Sequence, residues 1–352
     1  MDSPLSRRRV IAFGLAAACI VPPRTARATA PWEDFKARFV TPEGRVRDNA
    51  NQDISHSEGQ AWGMLLAARH GDAVAFRRIH LWTLARLGLR SDRLLAWRFV
   101  PGPGGGVRDL NNATDGDLYH ALALLTAERR WPGHGYAMLA RRVAEDLLRQ
   151  AVRQVGPRCV LLPGSAGFEA AGHVEVNPSY YAFVALDALA AAFPDQPWAL
   201  VAREGEALLA EARFGRFGLP PDWLRMERRG GALVPVRGRG DRFGYDAIRV
   251  PLNLVWGGRA AHPVVKAAAR FWSNPDYRHV PAWVRLSTEE ISPYPAGPGA
   301  LAIAWLVLAQ RAGWGELSAM PSAQSAHSYY DAALALLARE AWRDLTQPPS
   351  GA

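Results

Sequence analysis

Apolar residues return at helical spacing in ten separate stretches of this chain, and Pro- and Gly-rich breakers stand between them. The stretches cover about 58–70, 74–88, 115–130, 136–152, 178–193, 197–213, 250–257, 262–272, 296–312 and 328–345. Within the third, Leu118, Ala121, Leu122 and Leu125 fall at i, i+3, i+4 and i+7, one stripe of a helix. The breakers run from Pro101 to Gly106, at Pro132-Gly133, from Gly215 to Pro220 and from Pro293 to Pro298. This rhythm predicts an all-α fold of ten to twelve helices in successive hairpins. Closed into a ring, such hairpins make an α/α barrel, whose loops at one end can build a cleft. Two short stretches read as small β-hairpin insertions. Val160-Leu161-Leu162 with Val174-Glu175-Val176 is one, and Ala232 to Val236 is part of the other. Alternating apolar strands are too few for a TIM barrel or an α/β-hydrolase.

The chain has 352 residues, 49% of them hydrophobic, enough to bury one large core. No charge run or low-complexity linker divides it, so residues 31–352 read as a single domain. Residues 1–30 read as an export signal. Arg7-Arg8-Arg9 supplies the charged start, and Val10 to Val21 an apolar run too short to span a bilayer. Ala26-Arg27-Ala28 and Ala28-Thr29-Ala30 both offer cleavage sites, and Ser6-Arg7-Arg8 leaves a twin-arginine route open. The expected location is the periplasm or the exterior.

The formal charge is +9, from 42 Lys+Arg against 33 Asp+Glu. The leader holds five Arg and one acid, so the remainder carries 37 bases and 32 acids, a net +5. The bases are scattered rather than interleaved with aromatics on one face, which argues against a nucleic-acid partner. Cys19 lies in the leader, so Cys159 stands alone and no intramolecular disulfide can form. Nine scattered His with no His-Glu-x-x-His argue against a metal. No phosphate-cradling Gly-Lys-Ser/Thr loop and no Gly-x-Ser-x-Gly elbow occurs.

Three segments place carboxylates where helices begin or turns end. They are Ser57-Glu58-Gly59-Gln60, Thr114-Asp115-Gly116-Asp117 and Tyr245-Asp246-Ala247-Ile248-Arg249. The first two fit capping boxes, with Ser57 and Thr114 as N-caps and Gln60 and Asp117 three positions on. Acids are common in first turns because the helix dipole favours them. Three separated carboxylates without a cofactor also suit glycoside hydrolysis.

Ala113-Thr114-Asp115-Gly116-Asp117, followed by Ala121, Ala123-Leu124-Leu125, Ala127 and Trp131, resembles the signature of glycoside hydrolase family 8. Ser57-Glu58-Gly59-Gln60 with Trp62-Gly63-Met64 resembles the family's segment bearing the catalytic acid. Asn177-Pro178-Ser179-Tyr180-Tyr181 and Tyr245 to Arg249 match in the same order. His120 departs from the family's Ile or Met. The resemblance covers most of the chain beyond the leader, and within the family it is strongest to endoglucanases of bacterial cellulose synthesis.

The resemblance implies an (α/α)6 barrel, a toroid of helical hairpins, and hydrolysis with inversion. Glu58 would be the general acid, Asp246 the general base, and Asp115 a hydrogen-bond partner of the distorted sugar. Tyr180 would hold the attacking water, and Arg249 would reach back to Asp246. A helix N-terminus lowers a carboxyl pKa, so Glu58 needs burial beside Trp62 and an ionised Asp115 to stay protonated. Sugar faces stack on aromatic rings, and Trp62, Trp97, Tyr181 and Tyr245 are the candidates; Trp82, Trp131 and Trp305 read as core. The implied activity is that of an endo-β-1,4-glucanase on cellulose-like chains, a monomer without cofactor, possible partner of a cellulose synthase complex. The alternatives are a chitosanase, xylanase or mixed-linkage glucanase, and a glucan-binding subunit without catalysis.

Overall fold

A computed structural model describes residues 30–238, 240–313 and 315–347. The leader lies outside them except for Ala30. Eleven α-helices are present among the described residues: α1 Pro31–Phe39, α2 Ser57–Arg69, α3 Ala73–Leu87, α4 Thr114–Arg130, α5 Tyr136–Ala151, α6 Phe183–Ala192, α7 Trp198–Glu211, α8 Arg249–Trp256, α9 Pro263–Trp272, α10 Pro298–Ala312 and α11 Tyr329–Thr346. None is long and apolar enough to cross a membrane.

The helices fall into two kinds. In α2, α4 and α8 nearly every side chain is buried, so both faces meet protein. α5 is one-sided: Ala140, Val143, Ala144, Leu147 and Ala151 are buried at helical spacing and the other faces are wet. The wholly buried helices line the interior, and α5 packs outside α4. α2 packs on α4, α4 on α6, α6 on α8 and α8 on α11. The ring closes where α11 returns to α2. There Arg69 Nε donates to Glu340 Oε2 at 2.5 Å, and the Trp62 and Tyr329 rings stack with centroids 6.4 Å apart.

One helix was not anticipated. Trp32, Phe35 and Phe39 on α1 are buried at i, i+3 and i+7, a short stripe hidden in a polar segment. The expected helix over 178–193 is two pieces, a 3-10 turn Pro178–Tyr180 and then α6. Asn177 Oδ1 accepts from Ser179 N and Pro178 takes the first position, so a new turn starts there. Of the tryptophans assigned to the core, Trp131 and Trp305 pack against it, and Trp82 does not. Trp82, Trp131 and Trp305 are half-buried, whereas Trp32, Trp62 and Trp198 are enclosed.

The β-insertions pair differently from expectation. β1 Ser55–His56 pairs with β2 Arg98–Phe99, and β3 Val152–Val155 with β4 Arg158–Leu161. Val160 therefore faces Arg153, not residues 174–176. Gly156 at φ +58 permits the tight turn between β3 and β4. β5 His173–Val176 joins β6 Leu224–Glu227, which also carries β7 Leu233–Pro235. β8 Arg242–Phe243 pairs with β9 Val284–Arg285. All these pairs are antiparallel.

Candidate active site

The N-termini of α2 and α4 touch. A Cβ on Gly116 would lie 2.3 Å from Ser57 Oγ and 2.8 Å from Glu58 N, so only glycine permits this approach. Neither expected capping box forms. α2 is capped by His56, whose Nδ1 accepts from Gly59 N at 3.0 Å. Gln60 turns inward instead, accepting from Val46 N and donating to Thr83 Oγ1 at 2.8 Å. Thr114 Oγ1 donates to Leu162 O, and Asp117 accepts from Leu95 N and Asn112 Nδ2. These polar side chains tie the helix ends to neighbouring segments rather than to their own first turn.

Glu58 and Asp115 are thereby set side by side, and Arg249 at the start of α8 reaches both. Its Nη1 donates to Asp115 Oδ2 at 3.0 Å and also bonds Glu58 Oε2. Its Nη2 donates to Asp246 Oδ1 at 2.8 Å. One buried guanidinium thus holds three carboxylates. The expected contact from Arg249 to Asp246 is present, and the two to Glu58 and Asp115 had no local signal. The Arg249 guanidinium lies 5.9 Å from the Trp62 ring and 5.7 Å from the Tyr180 ring, so aromatic faces complete its surroundings. As expected, Asp246 sits on the turn before α8. Its backbone N donates to Asp222 Oδ1 at 2.9 Å, and its carboxylate meets the Asn177 side chain.

Charge and burial compete here. Burial, aided by the Glu58 carboxylate, pushes the Asp115 carboxyl up to about 8 against the pull of Arg249. Asp246 is also raised, again by burial, with Arg249 opposing. The expectation of an ionised Asp115 beside a protonated Glu58 is thus modified. Burial favours the protonated form of Asp115, which shares a hydrogen bond with Glu58.

The cleft has two lobes. A lobe of about 200 Å³ is lined by Glu58, Asp115, Asp246 and Arg249 with Trp97, Tyr180, Tyr245 and Tyr330. A larger lobe of about 910 Å³ continues past Tyr245 and Tyr330 toward Trp283 and Tyr294. Tyr245 and Tyr330 stack with centroids 4.4 Å apart, and the Tyr330 hydroxyl donates to Tyr245 O at 2.6 Å. Tyr245 is 62% exposed, so its ring faces open space. Trp97 is half-buried, its Nε1 donating to Asp109 Oδ2 at 2.8 Å.

Two candidates stand back from the cleft. Trp62 is buried beneath Arg249 and Tyr330 and offers no face to a ligand. Tyr181 lies in the core, where its hydroxyl accepts from Leu161 N at 3.0 Å and its ring fills the space above Gly205. His120 faces away from the cleft as well, with its ring 6.2 Å from that of His80. Sequence reasoning missed Asp222, Tyr330, Trp283 and Tyr294. Pro220-Pro221-Asp222 carried a usable signal, an acid held in a rigid turn ahead of an aromatic residue.

This geometry joins acids separated in sequence at the floor of an aromatic cleft, and similarity to known proteins decides the family. The profile of "Glycosyl hydrolases family 8" matches residues 4–344. The chain belongs to glycosyl hydrolase family 8. A probable endoglucanase of Novacetimonas hansenii is 41% identical over 87% of this chain and 88% of its own length. An endoglucanase of Cellulomonas uda is 36% identical over 86% of this chain and 84% of its own. The structure of endo-beta-1,4-glucanase CMCax from Acetobacter xylinum superposes with a TM-score of 0.84 at 40% identity, covering 90% of this chain and all of that one. The ring of helical hairpins is accordingly the (α/α)6 toroid of family 8.

Proposed function

We propose that this family 8 member is an endo-β-1,4-glucanase that cuts cellulose-like glucan with inversion and without a cofactor. The observation that carries this reading is Arg249 held between Glu58, Asp115 and Asp246 beneath exposed Tyr245. Similarity to proteins named as endoglucanases supports the substrate class.

In this reading Glu58 gives its proton to the glycosidic oxygen as the C1–O bond breaks. Asp246 takes a proton from water as the water oxygen bonds C1 from the opposite face. Asp115 hydrogen-bonds the sugar between them; after the products leave, Asp246 releases its proton to solvent and Glu58 takes one from solvent, which closes the cycle. Inversion places the acid and base roughly 6.5–9.5 Å apart, leaving room for water. A guanidinium spanning both carboxylates keeps them apart before substrate enters. Tyr180, against the Arg249 guanidinium, holds the water against Asp246. Tyr245, Trp97 and Tyr330 supply faces for the apolar sides of glucose rings.

Residues 31–352 are read as one catalytic domain and residues 1–30 as an export signal, which puts the enzyme in the periplasm or outside the cell. An accessory role in cellulose synthesis, as a monomer beside a synthase complex, fits that location. Reducing-end release from carboxymethyl-cellulose, compared between the chain and its Glu58→Gln variant, tests the activity. Release by the former alone supports the reading. Release by neither directs the search to chitosan and xylan.

A further inference from the structure

Asp222 is a carboxylate that the proposed reaction does not use, yet it binds the segment that carries Asp246. Its Oδ1 accepts from Ala247 N at 2.7 Å, Asp246 N at 2.9 Å and Gly244 N at 3.3 Å. Its own N donates to Arg242 O at 2.6 Å, so its backbone is pinned to the strand that leads into the turn. It is 6% exposed and borders the larger lobe of the cleft. The turn has little room to move otherwise: a Cβ on Gly244 would come within 3.0 Å of Trp283 Cβ and 3.4 Å of Asp222 Oδ2. Nearby Arg242 is engaged elsewhere, its guanidinium 4.0 Å from the centre of the Trp283 ring. Three N–H groups of one turn converging on a single carboxyl oxygen fix that turn more firmly than water can.

We propose that Asp222 is the positioning residue of the general base: its carboxylate holds the turn 244–247 so that Asp246 meets Arg249 and the attacking water. This rests on the glucanase reading given above. Asp246 is faced by Arg249 from α8, Asp115 from α4, Glu58 from α2, Asn177 and Tyr180 from the 3-10 turn, and Tyr330 from α11. Asp222 adds a like charge from the β6 side. Burial and Asp246 push Asp222 up to about 7, against the pull of the three N–H groups. Like-charge repulsion is mutual, so an ionised Asp222 makes Asp246 easier to protonate.

The two variants Asp222→Ala and Asp222→Asn separate holding from charge. Amide exchange at Asp246 and Ala247 is measured together with kcat and KM for hydrolysis. Asp222→Ala loses the acceptor: both amides exchange at least about tenfold faster, and kcat falls about 100-fold, the scale of a misplaced reacting group, with KM little changed. Asp222→Asn keeps a carbonyl acceptor and most of the protection. Its kcat returns to within about tenfold of the parent, because the acceptor rather than the charge holds the turn. Unchanged exchange in Asp222→Ala overturns the proposal, as does a kcat in Asp222→Asn no higher than in Asp222→Ala. Hydrolysis absent from the unsubstituted chain refutes the glucanase reading alone, and the exchange measurement still decides whether Asp222 holds the turn.

Discussion

Arg249 Nη1 donates to Asp115 Oδ2 at 3.0 Å across 134 positions of sequence, and the same nitrogen meets Glu58. The charge that steadies the base side of the site therefore also bears on the acid side. Each end of the proposed reaction senses the protonation of the other.

Replacing Asp115 with Asn tests that coupling. The carboxyl that is pushed up to about 8 beside Glu58 disappears, and Arg249 acts on Glu58 without a second acid. The alkaline limb of the pH–activity profile, which reports the proton of the general acid, moves to lower pH by roughly 1–3 units. A limb that stays where it is removes Asp115 from this role.

Arg249→Met leaves buried carboxyls without their cation. Loss of one partner from a buried ionic cluster costs about 3–5 kcal/mol. The sign follows from Asp115 and Asp246, both raised in the fold above their unfolded values. Their ionised forms are the disfavoured ones, so the penalty is largest at neutral and alkaline pH. It shrinks as pH falls through the raised values toward the ordinary carboxyl range. Urea unfolding of variant and parent at several pH values gives the comparison; a deficit that is constant with pH contradicts this account.

Gly116→Ala forces α4 away from Ser57 and Glu58. Because the obstructing atoms include backbone, overpacking of about 1–3 kcal/mol is expected. Displacement of Glu58 lowers kcat by about tenfold or more. Thermal unfolding and glucan hydrolysis measured together check both effects, and normal turnover would show that the helix contact does not set Glu58.

His120→Met flattens the acid side of the stability curve. Burial depresses His120 to about 3 and the adjacent His80 to about 4. Both folded values lie below the unfolded one, so the unfolded chain binds the extra protons. Stability is intact above about 6.5 and is lost as pH falls below it. Removing His120 recovers about 2–3 kcal/mol near pH 4.5, since a tenfold change in proton affinity corresponds to about 1.4 kcal/mol. Equal urea midpoints for variant and parent at that pH refute a neutral buried His120.

Helical periodicity made ten of the helices legible, and sequence motifs marked Glu58, Asp115, Asp246 and Arg249 one by one. What the sequence concealed is who meets whom. Nothing within a few residues of Arg249 announces Glu58, which stands 191 positions away. Tyr181 follows Tyr180 directly, yet the break before α6 sends one ring to the cleft and the other to the core. The capping boxes failed for a related reason. Gln60 and Asp117 had local partners to choose, and tertiary partners such as Val46 N and Leu95 N took them. Pro220-Pro221 marked a rigid turn at Asp222, but not the backbone amides of 244–247 that it binds.

The closure of the ring by α11 has a consequence for how the enzyme comes into being. Tyr330 supports Tyr245 from that helix, and Glu340 fastens it to Arg69. α11 leaves the ribosome after every other element of the cleft, so a growing chain contains Glu58, Asp115 and Asp246 long before their enclosure exists. A chain clipped ahead of Tyr329 holds all three acids but lacks Tyr330 behind Tyr245 and the Glu340 partner of Arg69.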